Sequence, residues 1–380
     1  MENPDVILDP NGEILVILRN SSSMFNSDEE SALQEPLQEP ASDSETRTSA
    51  ELNSHESSEL SDVSNDRVYR CSLRHLSLSC PRVERMMDGP WREARKIHED
   101  NLHHWVVEGF DVQAMTIVLS LIHHKYSLVP KTVDLDLLVE IARIVDYIGC
   151  SEVVKDRASS VWIPALKDSI PRSYGAELML WICVSGVFCE ERIFRNCTRV
   201  AIRESHSGIP TLGLPILPEI AGEIDRCKER LLDQIFDAID SFIEELSTTL
   251  VCNMRCDSMR LGVFLKNIHA SSLSPRPRKP YTKFSVRCAI RALHCLPPLS
   301  IRHNDAAYES WVRGWTGFIK AYPPKRGYSS MWGSMNEDVD EKEMRRQLRF
   351  PLHCGFRHFL TTIHSFEFDL DGLDIKDLKT

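Results

Sequence analysis

The sequence predicts an α+β fold, in which a region with a small β-sheet is followed by a mostly α-helical region. Two short runs rich in apolar and β-branched residues, 12–18 and 105–107, are predicted as strands, together with the segment 67–70. Beyond residue 107 and up to about residue 250, apolar residues recur at steps of three and four, which indicates amphipathic helices. The strands therefore come first along the chain, and the long helices follow.

The first predicted strand follows the turn sequence Asp-Pro-Asn-Gly at residues 9–12. The next segment, 20–66, is 47 residues long and holds 13 serines, one aromatic residue, twelve acidic residues and a single basic residue. Its net charge of −11 equals that of the whole 380-residue chain, so the remaining residues are neutral in sum. A segment this polar and this charged cannot bury enough apolar surface to fold, and the sequence predicts a disordered insert.

Helices with recognisable ends are predicted on both sides of the third strand. Residues 72–87 have the pattern of two short helices, with Ser79 as the N-cap of the second and Pro81 in its first turn. A longer helix is predicted over 135–148, because its apolar residues fall on one face and Gly149 stands at the position of a C-cap. These helices would cover the small sheet.

The later part of the chain is predicted as helical up to about residue 270. Residues 178–188 are apolar nearly all round, which is typical of a helix buried on every side, and one long amphipathic helix is predicted over 224–246. Prolines and bases in 271–280 predict a linker. An aromatic helix face is predicted over 308–322. Near the end, a half-buried strand is predicted by the alternation with acidic residues of Phe366, Phe368 and Leu370.

Sequence signatures of catalysis are missing from the chain. It has no phosphate-binding loop, no dinucleotide-binding glycine pattern and no nucleophile elbow. His98 and His103 are five residues apart, whereas the zinc pattern needs a spacing of four to put both imidazoles on one helix face. The sequence therefore predicts no catalytic residue, no metal and no cofactor. An enzyme with a site built from dispersed residues stays open as an alternative, as does a loose metal cluster at His353, Cys354, His358 and His364.

Composition also limits location and partners. The longest uncharged apolar stretch has twelve residues, whereas a membrane span needs about 20. No secretory leader is readable, so we expect an intracellular protein, in the cytoplasm, the nucleus or both. Its twelve cysteines are then expected to be reduced, most of them as small apolar core residues. A net charge of −11 lacks the basic footprint of a nucleic-acid binder.

A family resemblance begins at the strand and helix pair after the insert. Residues 67–87 resemble the strand and helical hairpin of a BTB/POZ domain, which carries the pattern H-K-x-x-L-x-x-x-S-P-x-F. In this chain His75 and Leu76 precede Cys80-Pro81, and Val83 stands where the family has Phe. Seven further stretches resemble a fungal branch of the family: 91–93, 133–138, 146–150, 201–205, 211–215, 256–258 and 273–277. The resemblance covers about 1–19 and 67–290.

The resemblance implies a protein-interaction fold, a small sheet capped by helices that often dimerises and recruits other proteins. The first prediction is thus a non-catalytic adaptor, with a homodimer implied. The alternative is a substrate receptor of a cullin-type ubiquitin ligase. It is disfavoured because cullin-recruiting relatives tend to place an acid in the loop that here reads Tyr-Ser-Leu-Val-Pro at 126–130. The 47-residue insert also separates strands that normally form a tight hairpin.

The predicted organisation has six parts. They are the first strand region (1–19), the acidic insert (20–66), the remainder of the BTB-like domain (67–157), an α-helical domain (158–270), a Pro-rich basic linker (271–298) and a divergent C-terminal region (299–380).

Several groups of residues are candidate partner contacts, each with a plainer interpretation. The loop contacts are Tyr126 and Leu128. Arginines also recur at steps of three and four along one predicted helix, and they are Arg192, Arg195, Arg199 and Arg203. They form either a solvated face neutralised by Glu190, Glu191 and Glu204 or a docking site for an acidic peptide such as the insert. Trp311 and Trp315 form a docking ridge or part of a core.

Two further motifs have a regulatory interpretation beside a plain one. Ser27, Ser58 and Ser61 precede acidic residues and are candidate phosphorylation sites, although serines of this kind are common in acidic disordered segments. The basic stretch 276–280 is a linker or, alternatively, a polyproline ligand or a weak nuclear signal.

Overall fold

The computed structural model describes residues 4–19, 66–96, 99–214, 217–250, 254–282, 284–294 and 356–378. The chain divides into two compact units, Met1–Asp168 and Ser169–Thr380. The first unit contains all the described strands, and the second is helical. The mixed α and β class that the sequence predicts is therefore confirmed.

The first unit contains a four-stranded sheet. Its strands are β1 (Val6–Ile7), β2 (Ile14–Arg19), β3 (Arg67–Cys71) and β4 (His103–Glu108), in the order β1-β3-β2-β4. Strand β2 pairs antiparallel with β3, with Ile14 opposite Cys71 and Leu18 opposite Arg67, and parallel with β4. The three predicted strands are confirmed, and β2 and β3 are neighbours although 47 residues of sequence separate them. The two-residue strand β1, parallel to β3, was not predicted.

Both faces of the central strand β2 are covered. All five residues from Ile14 to Leu18 are at most 2% exposed, which suits a continuous apolar run in the middle of a sheet. On one face Leu15 and Ile17 pack with Val68 of β3. Tyr69 of β3 donates a 3.2 Å hydrogen bond to the carbonyl of Val112, so a helix covers the opposite face.

Helices cover this sheet and complete the first unit. They are α1 (Leu73–Ser79), α2 (Pro81–Asp88), α3 (Val112–Ile122), α4 (Leu135–Ile148), α5 (Ser151–Arg157) and α6 (Ile163–Leu166), with a π-helical turn at Ala158–Trp162 and 3₁₀ turns at Arg92–Ala94 and Tyr126–Leu128. The carboxylates of Asp111 and Asp134 cap α3 and α4 by accepting hydrogen bonds from backbone N–H groups in the first turn of each helix. Gly149 ends α4 in the left-handed region, at φ 77°, as its sequence position predicts.

The predicted cap of α2 was wrong. Ser79 is the last residue of α1, and Cys80 is the N-cap of α2 without a side-chain hydrogen bond. A single residue separates the two helices, so it must end one and begin the other. Pro81 favours extended backbone at the residue before it, and Cys80 adopts φ −134° and ψ 94°. The side-chain cap of this hairpin belongs instead to α1, where Ser72 accepts from the N–H of His75 at 3.5 Å.

His123, at the end of α3, connects α3 to the start of α1. The side chain is 7% exposed; its Nδ1 lies 2.8 Å from the carbonyl of Leu119, and the N–H of Ser72 donates to its Nε2 at 3.0 Å. A carbonyl can only accept and an amide N–H can only donate, so His123 is the neutral tautomer with its proton on Nδ1. Burial lowers the pKa of His123, and the nearby His75 ring lowers it further.

The second unit is built from helices. They are α7 (Ala176–Val187), α8 (Glu191–Glu204), α9 (Leu217–Thr248), α10 (Met254–Ala270), α11 (Val286–His294) and α12 (Phe356–Phe368). Helix α7 is buried from Leu178 to Ser185, as its all-round apolar sequence predicts. The predicted long amphipathic helix is α9, and its apolar face forms one core with α10, α11 and α12. In that core Phe242 stacks on Phe359 with ring centroids 4.6 Å apart.

The strand predicted at Phe366, Phe368 and Leu370 was wrong, because helix α12 runs through Phe368. Its buried residues follow the helical spacing of Phe359 and Ile363, and Phe366 packs partly buried in the same row. Phe368 is 83% exposed, whereas Phe366 is partly buried and Leu370 is buried, so the three residues do not share one buried strand face. The apolar residues with helical spacing, Phe359 and Ile363, precede the three residues from which the strand was predicted.

The segment that the sequence predicts as a linker connects α10 to α11 and is held on α9. Arg276 pairs with Asp233 at 3.0 Å and with Asp237 at 2.6 Å, and Lys279 also pairs with Asp233. Tyr281 is buried and donates to the same Asp233 carboxylate at 2.5 Å. These contacts hold the pKa of Asp233 below its ordinary value. Two bases of the basic stretch are therefore engaged within the chain.

Several sequence predictions fall outside the described residues. They are the disorder of the insert, phosphorylation at Ser27, Ser58 and Ser61, and the aromatic face with Trp311 and Trp315.

The neutral state that His123 requires predicts a loss of stability in acid. The folded-state pKa lies below the unfolded value of about 6.5, so the stabilisation is complete above that pH and is lost as the pH falls toward the folded-state pKa. Protonation would put a proton on Nε2, and the Ser72 N–H would lose an acceptor worth about 0.5–1.5 kcal/mol. Hydrogen exchange of a peptide containing Ser72, corrected for intrinsic rates, should show lower protection at pH 5.5 than at pH 7.5.

The matched variants are His123→Leu and His358→Leu, since His358 is an exposed histidine of α12. His123→Leu should remove the pH dependence of protection at Ser72, while His358→Leu keeps it. The other charged or titratable neighbours that act on His123 are His75 and Asp9. Unchanged pH dependence in His123→Leu would assign the effect to one of those two groups and refute the role of His123.

Candidate functional site

An exposed apolar pair lies on the turn between α3 and α4. Tyr126 is 63% exposed and Leu128 is 50% exposed, although the preceding helix α3 is almost wholly buried. These are the two loop residues that the sequence analysis selected as partner contacts. Large apolar side chains in this position are typical of protein-binding surfaces when the backbone beneath them is fixed.

The backbone of this turn is fixed from several sides. His124 adopts the left-handed region at φ 56° and its Nδ1 lies 3.0 Å from the hydroxyl of Tyr126. The carbonyl of Pro130 accepts from the guanidinium of Arg157 at 3.0 Å and from the indole of Trp162 at 3.2 Å. The turn therefore presents Tyr126 and Leu128 on a pre-ordered support, which lowers the entropy lost on binding.

A shallow groove of about 300 Å³ lies beside Leu128. Its walls are Gln113, Thr116 and Ile117 of α3 and residues 127–130 of the turn. None of these lining side chains titrates in the range of acid–base catalysis. The groove can accommodate an apolar side chain of a partner while the Gln and Thr groups make hydrogen bonds, and this lining offers no means of transferring a proton.

The arginines predicted to share one face of α8 lie on its exposed side. Arg192, Arg195 and Arg199 are exposed and Arg203 is half-buried. The opposite side of α8, which contains Phe194, is buried. We call these four residues the arginine face of α8.

A C-terminal acidic segment lies on the arginine face. Asp374 pairs with Arg195 at 2.9 Å, and the N–H of Leu373 donates to the hydroxyl of Thr198 at 2.9 Å. Lys376 pairs with Glu191 at 3.1 Å. The backbone N–H of Lys376, together with Arg195, holds the pKa of Asp374 below its ordinary value. We call residues 369–376 the strap.

The strap fits closely on α8. A Cβ on Gly372 would lie 1.7 Å from the carbonyl oxygen of Arg195, a separation that no side chain can adopt. Leu370 and Ile375, on either side of this crossing, are 7% and 6% exposed. Apolar burial and the close backbone approach therefore fix the position of the strap, and the exposed ion pairs add to it.

Both sequence interpretations of the arginine face are partly realised. Glu204 pairs with Arg203 at 2.6 Å and also with Arg287 at 2.6 Å, so the helix supplies some of the neutralising charge itself. An acidic peptide also docks on the face, but it is the strap. The insert, which the sequence analysis named as an example, lies outside the described residues. The strap was missed, although its Asp-Leu-Asp-Gly-Leu-Asp sequence at 369–374 was a readable acidic signal.

The described cysteines and histidines do not cluster into a metal-binding group. No group of three or more His, Cys, Asp or Glu residues in the described ranges could hold a metal ion. Five cysteines are buried, which confirms the core interpretation for Cys71, Cys80, Cys150, Cys183 and Cys197. Burial raises the pKa of Cys197 to about 12, so its thiol stays protonated. One Cys–His pair that the sequence analysis missed joins Cys288 and His206 at 3.3 Å, across 82 residues of sequence.

Comparisons with known proteins were made at the level of families, sequences and structures. No family model matches the chain, and neither a curated protein nor a solved structure is significantly similar to it. Within the described part of the chain, none of the helices has the length and apolar character required to span a membrane.

The close approach at Gly372 predicts that a single methyl group releases the strap. In Gly372→Ala the backbone of the strap must leave α8, because the new Cβ would overlap the Arg195 carbonyl. Amides of 369–376 should then exchange with deuterium about tenfold faster, or about 1.4 kcal/mol in opening free energy. Gly208→Ala is the matched control, since a Cβ there meets only Asp225 at 3.8 Å. Equal exchange in both variants would contradict the docked position of the strap.

Proposed function

We propose that the chain is a non-catalytic protein-interaction adaptor whose first unit is a BTB-like domain. The topology supports this proposal, because β3 leads directly into the helical hairpin of α1 and α2, the arrangement in which the resemblance begins. The antiparallel pairing of β2 with β3, and helices over the sheet, agree with the small capped sheet of that family. The homodimer that the resemblance implies stays a prediction.

The observation that carries the proposal is the exposed pair of Tyr126 and Leu128 beside the groove. Aromatic side chains dominate the energetics of protein interfaces, and a pre-ordered turn retains most of the affinity that they provide. The groove lining has no titratable group, which favours docking over chemistry. The alternative of a dispersed-site enzyme would depend on the contact between Cys288 and His206 described above.

The double variant Tyr126→Ala/Leu128→Ala tests the adaptor function. Both side chains are at least half exposed, so the free energy of unfolding should change by no more than about 0.5 kcal/mol. Partners that co-purify with the wild-type chain through this surface should be reduced about tenfold, because loss of two interface anchors costs well over 1 kcal/mol. The measurement is quantitative mass spectrometry of cross-linked complexes from the cells that make the protein.

A matched control is Leu78→Ala, which removes an equally large side chain that is 79% exposed elsewhere on the first unit. The adaptor proposal requires partners that survive Leu78→Ala and are lost in the double variant. If no co-purifying protein distinguishes the two variants, the surface around Tyr126 is not the docking site.

The second candidate is the substrate receptor of a cullin-type ubiquitin ligase. The position of the groove favours it, because the loop after α3 is where the resemblance places the cullin contact, and Leu128 lies on the rim of this groove. The loop sequence weighs against it, since none of the residues 126–130 is acidic. The adaptor with other protein partners therefore stands first.

Calorimetric titration with a purified cullin N-terminal domain separates the two candidates. A receptor should bind with a dissociation constant of about 1 μM or below, and Leu128→Ala should weaken it about tenfold. Introducing the missing acid by Val129→Glu or Pro130→Glu should raise the affinity. If neither the wild-type chain nor these variants bind, cullin recruitment is excluded and the adaptor function is unaffected.

A further inference from the structure

The strap leaves part of the arginine face uncovered. It engages Arg195 through Asp374, and Glu367 of α12 reaches Arg203 at 4.0 Å. Arg192 and Arg199 are exposed, and no acidic side chain in the described ranges pairs with either. The strap therefore pairs with Arg195, while Arg203 pairs with Glu204 and Glu367, and Arg192 and Arg199 remain available to a ligand with more carboxylates.

We infer that the arginine face of α8 is a binding site for an extended acidic peptide of a partner protein, and that the strap is its intramolecular occupant. Two observations support this assignment: an acidic segment already lies on the face, and Arg192 and Arg199 form no ion pair within the described residues. The inference concerns the second unit alone and does not depend on the proposed function of the first.

The contacts of the strap define what the site recognises. Its direction is opposite to that of α8, because Leu373 contacts Thr198, Asp374 contacts Arg195 and Lys376 contacts Glu191, farther toward the start of the helix. A ligand needs a glycine at the crossing over the Arg195 carbonyl and a carboxylate two residues later. Apolar residues at the positions of Leu370 and Ile375 provide the buried contacts.

The same direction places additional carboxylates. Glu367, which precedes the glycine, reaches Arg203 at 4.0 Å, so ligand residues before the glycine lie on the side of Arg199 and Arg203. The strap has Asp369 and Asp371 in this stretch, and within the described residues neither pairs with Arg199. Residues after the carboxylate point toward Arg192, at the start of the helix. A partner with acidic residues on both sides of the apolar and glycine core would thus contact arginines that the strap leaves uncovered, and would compete with it because exposed ion pairs are weak individually and add up in networks.

The test uses two synthetic fluorescent peptides and the full chain. The first peptide has the sequence of residues 370–375, and the second carries three additional glutamates at each end, which places them at the positions of residues 367–369 and 376–378. Binding is measured by fluorescence anisotropy to the wild-type chain, to Gly372→Ala and to the control Gly208→Ala. We expect both peptides to bind Gly372→Ala about tenfold more tightly than wild type or Gly208→Ala, because the strap no longer competes.

The extended peptide should bind Gly372→Ala about tenfold more tightly than the short one, and this gain should shrink between 50 and 200 mM salt, where the Debye length falls below about 10 Å. In the background of Gly372→Ala, Arg192→Glu/Arg199→Glu should abolish the gain, while Arg172→Glu, on an arginine outside α8, should not. Equal affinity for the two peptides would overturn the acidic-partner assignment.

A second release variant protects the test against misfolding of Gly372→Ala. Leu373→Pro removes the N–H that bonds to Thr198 and leaves every charge in place. If neither released chain binds either peptide and both keep the thermal unfolding of wild type, the strap is a fixed part of the fold and the inference fails. This failure would leave the adaptor function of the first unit intact, since the surface around Tyr126 is tested separately.

Discussion

The first unit depends on the pairing of β2 with β3. By loop-closure statistics, a connection of 47 residues costs about 2.5 kcal/mol more to close than a three-residue hairpin, at about 0.6 kcal/mol for each doubling of length. Burial of the residues from Ile14 to Leu18 opposes this cost with about 1.5–3 kcal/mol for each side chain, as an upper estimate. The free energy gained by burial exceeds the cost of closing the loop, so β2 stays paired with β3. The sheet supports α3 and α4, which flank the turn that contains Tyr126 and Leu128.

Local sequence patterns correctly predicted several strands and helices that are largely buried in the structure. The strands β2 and β4 were predicted from short β-branched apolar runs, α7 from a longer apolar run, and α4 from its apolar face and Gly149. The two errors have different causes, one local and one distant in sequence. The cap between α1 and α2 depends on a one-residue junction before Pro81, and α12 depends on packing against α9, which the alternation at Phe366 and Phe368 could not reveal.

The two candidate surfaces could also be predicted from the sequence to different extents. Tyr126 and Leu128 could be selected from the sequence because the turn after α3 has a place in the resemblance. The arginine face could be recognised from its spacing, since steps of three and four determine one helix face. Its occupant could not, because 179 residues separate Arg195 from Asp374 and composition pointed to the insert as the stronger acid. Charge complementarity identifies a class of ligand, and only the coordinates identify the segment.

The two surfaces differ in the forces that would hold a partner, and this difference has a functional consequence. An apolar anchor in the groove beside Leu128 would be held by burial, which salt does not weaken, whereas the arginine face would hold its ligand by exposed ion pairs, which salt screens. Only the second surface is already occupied by a segment of the chain, so a ligand there must replace buried Leu370 and Ile375 as well as the ion pairs of Asp374 and Lys376. A partner of the first surface binds a ready site, whereas a partner of the second must outcompete a segment of the same chain at high effective concentration. An adaptor with these properties would keep one partner constitutively and admit the other only when it is abundant or densely acidic.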